Sequence, residues 1–212
     1  MLEGKKILAI TPVRGGSKGL PRKNVRQLNG KPLMTWTIEH AKQSKYITRY
    51  VVSTEDQEMK DIAKKHNVEV LDRPVELAKD ETSTWAVLYN VLKTLEPYKP
   101  DAVVLLQVTS PVRIPGRIDE CIEKFFKDDV DSLITGFESK DFVWGKPIKR
   151  RQDIKGNFIV DGNVYVIKPD VILAGDVVGK KYGYVYTSNE EHVDIDEEYD
   201  LWLASKILEE RV

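Results

Sequence analysis

The 212-residue chain carries 33 Lys and Arg residues and 34 Asp and Glu residues, which gives a formal net charge of −1 at pH 7. A chain so nearly neutral has no overall field that attracts nucleic acid or a membrane surface, so any anion-binding site must be local. Cys121 is the only cysteine, which excludes an intramolecular disulfide. The sequence also lacks a run of about 18 apolar residues that could span a membrane. We therefore expect a cytoplasmic protein that binds neither nucleic acid nor membranes.

Short apolar runs rich in β-branched residues alternate with longer segments of helical period. The apolar runs are KILAIT, RYVVST, VEVL, DAVVLLQV and DSLITGF, and the helical segments between them range from LMTWTIEHAKQS to IDECIEKFF. This alternation predicts an α/β fold with a mostly parallel, Rossmann-like sheet and helices on both of its faces. Such sheets bind ligands at the carboxyl ends of their strands, so the loops after residues 12, 53 and 107 are the places to look for chemistry.

The pattern changes between residues 138 and 160. There, ESKDFVWGKPIKRRQDIKGNFIV has no long apolar period and carries a basic cluster. Turn signals at 145–147 and 155–157 predict one or two hairpin strands. The α/β pattern returns in NVYVIKPDVIL and YGYVYTS and closes with an amphipathic helix in EEYDLWLASKILEER. We predict a single domain over residues 1–212, from which the segment 139–157, called the arm below, projects.

The stretch RGGSKGLPRKN, residues 14–24, places four cationic side chains and three glycines directly after the first predicted strand. Glycines let backbone N–H groups approach phosphate oxygens closely, and Lys or Arg side chains neutralise the phosphate charge. Neither GxxxxGK[ST] nor GxGxxG is present, which excludes the two best-known phosphate-binding loops. On composition alone, a solvated basic loop explains the stretch equally well.

Two later motifs accompany this loop. Together with the stretch around the loop, they make three motifs that span nearly the whole chain. In chain order these are TPVRGGSKGLPRKNVRQLNGKPLMTWTIEHA, LLQVTSPVR and VDIDEEYDL. They resemble the N-terminal signature, the LLQPTSPLR motif and the DIDxxxDL motif of the acylneuraminate cytidylyltransferases, which make CMP-activated sialic, legionaminic and pseudaminic acids. The resemblance implies a sheet of the nucleotide-diphospho-sugar transferase type. The related 3-deoxy-octulosonate (KDO) cytidylyltransferases share that fold but lack the equivalent of Lys23 and Asn24, so the resemblance favours the sialic-type branch.

The resemblance implies that CTP reacts with a nonulosonic acid, a 2-keto-3-deoxy sugar acid, to give the CMP-sugar and pyrophosphate. The anomeric hydroxyl would attack the α-phosphorus, a step that needs in-line positioning and cations around the phosphate oxygens. By resemblance, Arg14 and Lys23 bind the triphosphate as catalytic residues, and Asn24 fixes the nucleotide. Further donors to the nucleotide would be Gly15, Gly16 and Ser17.

Arg73 and Ser83, both in LDRPVELAKDETST, are further nucleotide contacts that the resemblance implies. Arg73 matches a family position that meets the cytidine end, and a small base needs donors and acceptors along its edge. Ser83 also suits the N-terminus of the helix that begins in TWAVL, so a capping role stays open for it.

Candidate sugar contacts come from three places. Gln107, Thr109 and Ser110 follow the buried apolar run of the second motif. Asp161 stands where the family often has asparagine, and its charge would repel a sugar carboxylate unless a cation intervened. Lys146, in the arm, would meet that carboxylate from the second copy of a homodimer, which is the assembly that the resemblance implies.

Asp194 and Asp196 are two residues apart in an apparently extended stretch, so their carboxylates would lie on one face. Paired carboxylates beside a triphosphate suggest Mg²⁺, which prefers oxygen ligands and bridges phosphate oxygens. From the residues alone, acidic side chains that favour the N-terminus of the last helix are an equal alternative. The resemblance favours metal ligands that take part in catalysis.

Two alternative functions stay open at this point. One is a KDO-type cytidylyltransferase, which differs in its acceptor. The other is a non-catalytic nucleotide-sugar-binding protein that has kept the fold and lost the chemistry. The retained Arg14, Lys23, Asp194 and Asp196 disfavour the second, because a binding protein has no need of a metal pair.

Overall fold

A seven-stranded sheet forms the centre of the computed structural model, which describes residues 2–141 and 150–211. In chain order, the strands of this sheet are β1 (Ile7–Pro12), β4 (Arg49–Thr54), β5 (Glu69–Asp72), β6 (Ala102–Leu105), β7 (Ser132–Ser139), β8 (Asn157–Ile167) and β9 (Tyr182–Tyr186). Two short strands, β2 (Gln27–Leu28) and β3 (Lys31–Pro32), form a separate hairpin.

The spatial order of the main sheet is β5-β4-β1-β6-β8-β7-β9. β1 pairs in parallel with both β4 and β6, β4 pairs in parallel with β5, and β7 pairs in parallel with β9. Only β8 among these strands runs the other way, antiparallel to its neighbours β6 and β7. The predicted α/β fold with a mostly parallel sheet is therefore confirmed.

Six α-helices connect or follow the strands in the described part of the chain. They are α1 (Leu33–Gln43), α2 (Gln57–Lys65), α3 (Thr84–Thr94), α4 (Arg117–Asp128), α5 (Pro169–Leu173) and α6 (Glu198–Glu209). Side-chain caps begin α2 and α3, where Asp56 accepts from the Met59 N–H and Ser83 accepts from the Ala86 N–H, and a capping box begins α6. Over residues 2–141 and 150–211, none of the helices has both the length and the apolar character to cross a bilayer.

Both faces of the sheet are covered, which explains why its central strands do not alternate between apolar and polar residues. In β1, Ile7 and Ala9 pack with the buried face of α4, whereas Leu8 and Ile10 pack with α3 and α5 on the opposite face. A third apolar cluster joins α1, α2 and α6 near the carboxyl end of β1. The core therefore holds rigidly the strand ends from which the loops of the site emerge.

The described ends of the predicted arm form an antiparallel pair. β7 and β8 stay paired as far as Ser139 and Asn157, with a shift of register between Ile134 and Gly136. Beyond them, the Arg150 Nε atom lies 2.7 Å from the Asp153 carboxylate. Residues 142–149, which include Lys146, lie outside the described residues, so a projecting arm and its contacts stay a prediction.

Candidate functional site

The basic loop leaves the carboxyl end of β1 and is fixed from two sides. The buried Asn24 side chain donates to the Arg14 carbonyl oxygen over 3.1 Å, which ties the two ends of the loop together. The Gly15 N–H donates to Glu55 Oε1 over 2.7 Å, and a Cβ atom on Gly15 would lie 2.6 Å from Asp56 Oδ2. A side chain at position 15 would therefore displace the Asp56 carboxylate from its present place.

A cleft of about 420 Å³ opens beside this loop, at the carboxyl ends of β1 and β6. Its volume lies in the range of roughly 300–1,000 Å³ that is usual for small-molecule sites. Three segments line it: the basic loop, the chain from the end of β5 into α3, and the loop after β6. Of the predicted site residues, the cleft brings together Arg14, Ser17, Lys23, Asn24, Arg73, Gln107, Thr109 and Asp196.

The cations of the cleft pair with carboxylates from distant parts of the chain. Arg14 Nη1 lies 2.5 Å from Asp80 Oδ1, and Lys18 Nζ lies 2.7 Å from Asp80 Oδ2. Lys23 Nζ donates to Asp196 Oδ1 over 2.7 Å and to the Ile195 carbonyl oxygen over 2.5 Å. Both carboxylates are exposed, as is Lys18, and Arg14 is partly exposed, whereas the Lys23 side chain is largely enclosed.

Arg73 is the buried cation of the cleft. Its Nη2 atom donates to the Ser53 carbonyl oxygen over 2.6 Å, and its Nε atom has no hydrogen-bond partner among the described residues. Burial lowers the pKa of the Arg73 guanidinium to about 10, an effect that the Glu55 charge opposes and the Arg14 charge reinforces. A buried guanidinium with an unused donor is suited to bind a polar ligand group.

Asp194 and Asp196 lie on an extended segment that is held against the loop after β6. The Ile195 N–H donates to the Thr109 carbonyl oxygen over 2.8 Å, and the Ile195 side chain is buried. Crowding by the surrounding protein raises the pKa of Asp194; a hydrogen bond from Thr109 lowers it, and the charge of Asp196 raises it further. Two carboxylates of like charge so close together favour binding of a cation.

The cap of α6 uses other residues. The Glu197 and Asp200 side chains form the capping box at the start of this helix, and Asp200 accepts hydrogen bonds from the backbone N–H groups of Asp196 and Glu197. The alternative in which Asp194 and Asp196 serve the helix N-terminus is therefore disfavoured, because neither carboxylate is engaged as the cap.

The loop after β6 presents Gln107 and Thr109 to the cleft. The Gln107 side chain rests on Gly162, where a Cβ atom would lie only 2.4 Å from Gln107 Oε1. Beneath the loop, the buried Arg113 guanidinium donates to the Gln107 and Asn163 carbonyl oxygens over 2.6 and 2.9 Å. Burial lowers the pKa of Arg113 to about 10. Arg113 thus fixes the backbone from which Gln107 projects.

Several predicted contacts lie away from the cleft. Ser83 caps α3, so its hydroxyl accepts a backbone hydrogen bond, while Thr82 and Thr84 on either side line the cleft. Ser110 is fully buried and donates to the Asp161 carbonyl oxygen over 3.3 Å. Gly15 uses its N–H for Glu55, and neither it nor Gly16 lines the cleft.

Asp161 differs most from its predicted role as a sugar contact. Its carboxylate is buried and accepts hydrogen bonds from the Thr135 and Thr187 hydroxyls over 2.7 and 2.6 Å. The Asn163 N–H donates to it over 2.9 Å. Through these bonds the Asp161 carboxylate links β7, β8 and the chain after β9. The Asp161 side chain therefore does not face a sugar.

Sequence reasoning missed several residues of the cleft. The segment after β5 adds apolar, charged and hydroxyl side chains to the wall of the cleft. These are Leu77 and Val87, Lys79 and Asp80, and Thr82 and Thr84. The available signal was the position of this segment, which follows the carboxyl end of a parallel strand. Gly19 was also missed: a Cβ atom there would lie 2.7 Å from the Asp196 carbonyl oxygen, so glycine permits the contact between the basic loop and the acidic segment.

A larger groove of about 830 Å³ lies at the opposite ends of the strands. Its charged groups include Lys5, which pairs with Asp101 over 2.8 Å, and Lys168, which pairs with Asp131 over 3.1 Å. The smaller cleft is the better candidate, because it lies at the carboxyl ends of the parallel strands, where such sheets bind ligands.

A scan against protein-family models matches residues 8–172 to the cytidylyltransferase model. The chain belongs to the cytidylyltransferase family. The match covers β1 to α5, including the basic loop and the loop after β6. It confirms the family resemblance that the sequence motifs predict.

Curated proteins resemble the chain over nearly its whole length. The chain is 29% identical to N-acylneuraminate cytidylyltransferase A of Danio rerio, a match that covers 96% of this chain and 51% of the relative. It is 28% identical to the post-translational flagellin modification protein B of Campylobacter coli, over 97% of this chain and 96% of the relative. The chain thus spans about half the length of the fish cytidylyltransferase and nearly all of the bacterial protein.

Solved structures show the same fold. A CMP:2-keto-3-deoxy-manno-octonic acid synthetase complexed with CTP superposes with a TM-score of 0.78 at 16% identity, over 98% of this chain and 100% of that one. A 4-diphosphocytidyl-2C-methyl-D-erythritol synthase from Anaerococcus prevotii superposes with a TM-score of 0.71 at 16% identity, over 98% of each chain. At 16% identity, the two superpositions show a shared fold and nothing more.

Proposed function

We propose that this member of the family transfers the cytidylyl group of CTP to a nonulosonic acid, giving the CMP-sugar and pyrophosphate. The observation that carries the proposal is the cleft itself, in which Arg14, Lys18, Lys23 and Arg73 converge beside the Asp194–Asp196 segment. Cations for a triphosphate and carboxylates for a divalent ion are what nucleotidyl transfer requires. Family membership supports the same choice of nucleotide.

The basic loop would hold the triphosphate. Arg14 and Lys23 stand at opposite ends of that loop, and Asn24 fixes the backbone of Arg14. Charge-assisted hydrogen bonds from such fixed side chains orient phosphate oxygens and neutralise charge that develops during the reaction. Arg73, Thr84 and the apolar Leu77 and Val87 would then contact the nucleoside end, because they line the same cleft on the side of α3.

The acceptor would bind beside Gln107. Its anomeric hydroxyl oxygen forms the new bond to the α-phosphorus, the bond between that phosphorus and the oxygen bridging to the β-phosphorus breaks, and pyrophosphate leaves. The hydroxyl proton passes to solvent. Arg113 and Gly162 keep Gln107 in place, so the protein contributes chiefly positioning.

Mg²⁺ fits the residues at the acidic segment. Asp194 and Asp196 offer two carboxylates that the helix cap leaves unused, and crowding together with mutual repulsion raises the pKa of Asp194 in the absence of a cation. When bound there, Mg²⁺ would supply positive charge to the phosphate oxygens. Lys23, which pairs with Asp196, would keep the segment next to the basic loop.

The choice of acceptor rests on the curated relatives. Similar proteins named N-acylneuraminate cytidylyltransferase occur in Danio rerio and Oncorhynchus mykiss, and they favour a sialic-type acid. The superposed CMP-KDO synthetase has the same fold at 16% identity, so a KDO-type acceptor is the second candidate. The name of the flagellin modification protein of Campylobacter coli, which is matched over 96% of its length, specifies no acceptor, so we keep a panel of nonulosonic acids as candidates.

We also propose a homodimer in which the arm of one copy reaches the acceptor site of the other. The exposed side of the β9 edge supports an interface near the arm, because Tyr182, Tyr184 and Tyr186 are all exposed there beside Val160. Exposed apolar patches of this kind mark contact surfaces. Sedimentation of the chain at micromolar concentration should give a dimer, and a monomer would contradict the proposal.

Pyrophosphate release from CTP, Mg²⁺ and a panel of acids tests the function. N-acetylneuraminic, legionaminic and pseudaminic acids and KDO are supplied in turn, and ATP, GTP and UTP replace CTP as controls. We expect release with CTP and at least one sialic-type acid. Turnover with KDO alone would favour the second candidate, and CTP binding without turnover on any acid would favour a non-catalytic binding protein.

A further inference from the structure

Asp80 occupies the place in the cleft where a phosphate group would be expected. Its two carboxylate oxygens divide between two cations, with Oδ1 at 2.5 Å from Arg14 Nη1 and Oδ2 at 2.7 Å from Lys18 Nζ. A carboxylate that bridges two cations of a basic loop is chemically similar to a bound phosphate oxygen pair. The same two cations cannot give their full charge to a nucleotide while Asp80 holds them.

The segment that carries Asp80 has few other ties to the molecule. Between residues 75 and 82, Asp80 is the one residue of the described chain whose side chain forms ion pairs with other segments. The remaining polar contacts of this segment stay local: the Leu77 N–H bonds to Pro74, the Thr82 N–H to Lys79, and the Thr82 hydroxyl to Glu76. A shift of this segment would therefore break the two Asp80 ion pairs but no hydrogen bond of the sheet or of an α-helix.

We propose that Asp80 is a built-in competitor for the triphosphate: it holds Arg14 and Lys18 before CTP arrives and must release both when the nucleotide binds. This inference rests on the proposed function and adds to it a residue that sets the affinity and the selectivity for phosphates. Ligands that reach this subsite must displace the carboxylate, whereas a ligand without phosphate leaves it in place. After the reaction, return of Asp80 to the two cations would favour release of pyrophosphate.

Binding to the Asp80→Asn variant tests the inference without turnover. CTP, inorganic pyrophosphate and cytidine are titrated by calorimetry into the full chain in the presence of EDTA. Each exposed ion pair accounts for a small free energy, so loss of both should tighten binding of CTP and pyrophosphate by about 2- to 30-fold. The affinity for cytidine should not change, because cytidine does not reach the two cations.

Glu81→Gln is the matched control. It removes the same charge at the next position, and Glu81 takes part in none of the ion pairs of the described residues. The inference is overturned if Asp80→Asn binds the phosphates no better than the unmodified chain, or if Glu81→Gln gives the same gain. A chain that binds pyrophosphate more tightly after Asp80→Asn but never binds CTP would support the inference and contradict the proposed function.

Discussion

The cleft and the layer beneath it both contain Arg–carboxylate pairs, but the pairs differ in what surrounds them. In the cleft, Arg14 has a third of its side chain exposed and pairs with Asp80 on a weakly tethered segment. Beneath it, Arg117 donates to the fully buried Glu191 through Nε and Nη2, over 2.9 and 2.7 Å. The first pair can exchange its carboxylate for a ligand, whereas the second is closed to any ligand.

The comparison separates cations that serve a ligand from cations that serve the fold. Arg113 marks the boundary: it is as buried as Arg117, yet its hydrogen bonds go to two carbonyl oxygens and the Thr37 hydroxyl. It supports the backbone of Gln107 and has no direct path to the nucleotide. A fully buried partner carboxylate, as at Arg117, therefore marks a cation that serves the fold.

Glu191→Gln should produce the largest effect, on stability. Breaking a buried ion pair costs about 3–5 kcal/mol, and the lower end of this range applies here because Arg117 keeps its ion pair with Glu120. Urea unfolding should report this loss. Glu69→Gln is the control, because Glu69 forms a similar two-bond pair with Arg49 on the surface, where the loss should be below about 1 kcal/mol. Equal losses of unfolding free energy in the two variants would contradict the distinction between buried and exposed ion pairs.

The same Glu191 pair should make stability depend on pH. Burial alone would raise the pKa of Glu191, but hydrogen bonds from Arg117 and Ser188 bring it below its ordinary value. A depressed folded-state pKa contributes stability above the unfolded pKa of about 4.3 and loses that contribution as the pH falls through the lower folded value. Glu191→Gln should therefore flatten the acid limb of the stability curve.

Asp194→Asn and Asp196→Asn should each lower kcat by about 100-fold, the scale of removing one pre-organised electrostatic partner. Each change keeps the shape of the side chain and removes a hard anionic ligand, so high Mg²⁺ should restore part of the rate. Glu197→Gln, one position along, keeps an acceptor for the helix cap and should leave kcat unchanged. Full activity with lowered stability in the Asp variants would contradict the metal assignment.

Arg14→Ala should weaken CTP binding by roughly tenfold. A charge-assisted contact contributes about 1.5–3 kcal/mol, and the lower part of this range applies because Arg14 must first leave Asp80. Arg22→Ala is the control within the same loop, since Arg22 pairs with Asp56 and Glu58 outside the cleft. Equal weakening in both variants would mean that general charge, and not the cleft, binds the nucleotide.

Ser83→Ala and Thr84→Ala should have small effects on two different properties, stability and CTP binding. Loss of the Ser83 cap should lower the free energy of unfolding by about 1 kcal/mol and leave CTP binding intact. Loss of the Thr84 hydroxyl, which lines the cleft, should weaken CTP binding by an amount equivalent to about 0.5–1.5 kcal/mol. Thermal melting and calorimetry on both variants separate the two roles.

These residues also show how far the sequence predicts the molecule. Apolar periodicity predicted the strands and helices, because burial on both faces of the sheet leaves a local pattern. The motifs assigned Lys23 and Asp196 to one predicted site, and their side chains lie 2.7 Å apart although 173 positions separate them. The prediction was less accurate where the role of a residue depends on the direction of its side chain, as at Ser83 and Thr84. At the start of α3, the Ser83 side chain turns to the backbone and the Thr84 side chain turns to the cleft.

The contacts of Asp161 and Asp80 could not be predicted from the sequence for a different reason. Asp161 looked like a sugar contact because the sequence does not show that Thr135 and Thr187 enclose its carboxylate. Asp80 meets Arg14 across 66 positions through the approach of two loops. Such contacts depend on the three-dimensional course of loops, for which neither periodicity nor local propensity gives a signal.

The ³¹P NMR spectrum of a reaction with CTP, Mg²⁺ and N-acetylneuraminic acid tests the central claim most directly. Attack of the sugar on the α-phosphorus predicts that the three CTP signals give way to one phosphodiester signal and to pyrophosphate, in equal molar amounts of the two products. Release of orthophosphate with CDP would show cleavage at the γ-phosphorus and contradict the account. The account would also be contradicted if each acid of the panel in turn gave CMP and pyrophosphate but no signal of a sugar phosphodiester.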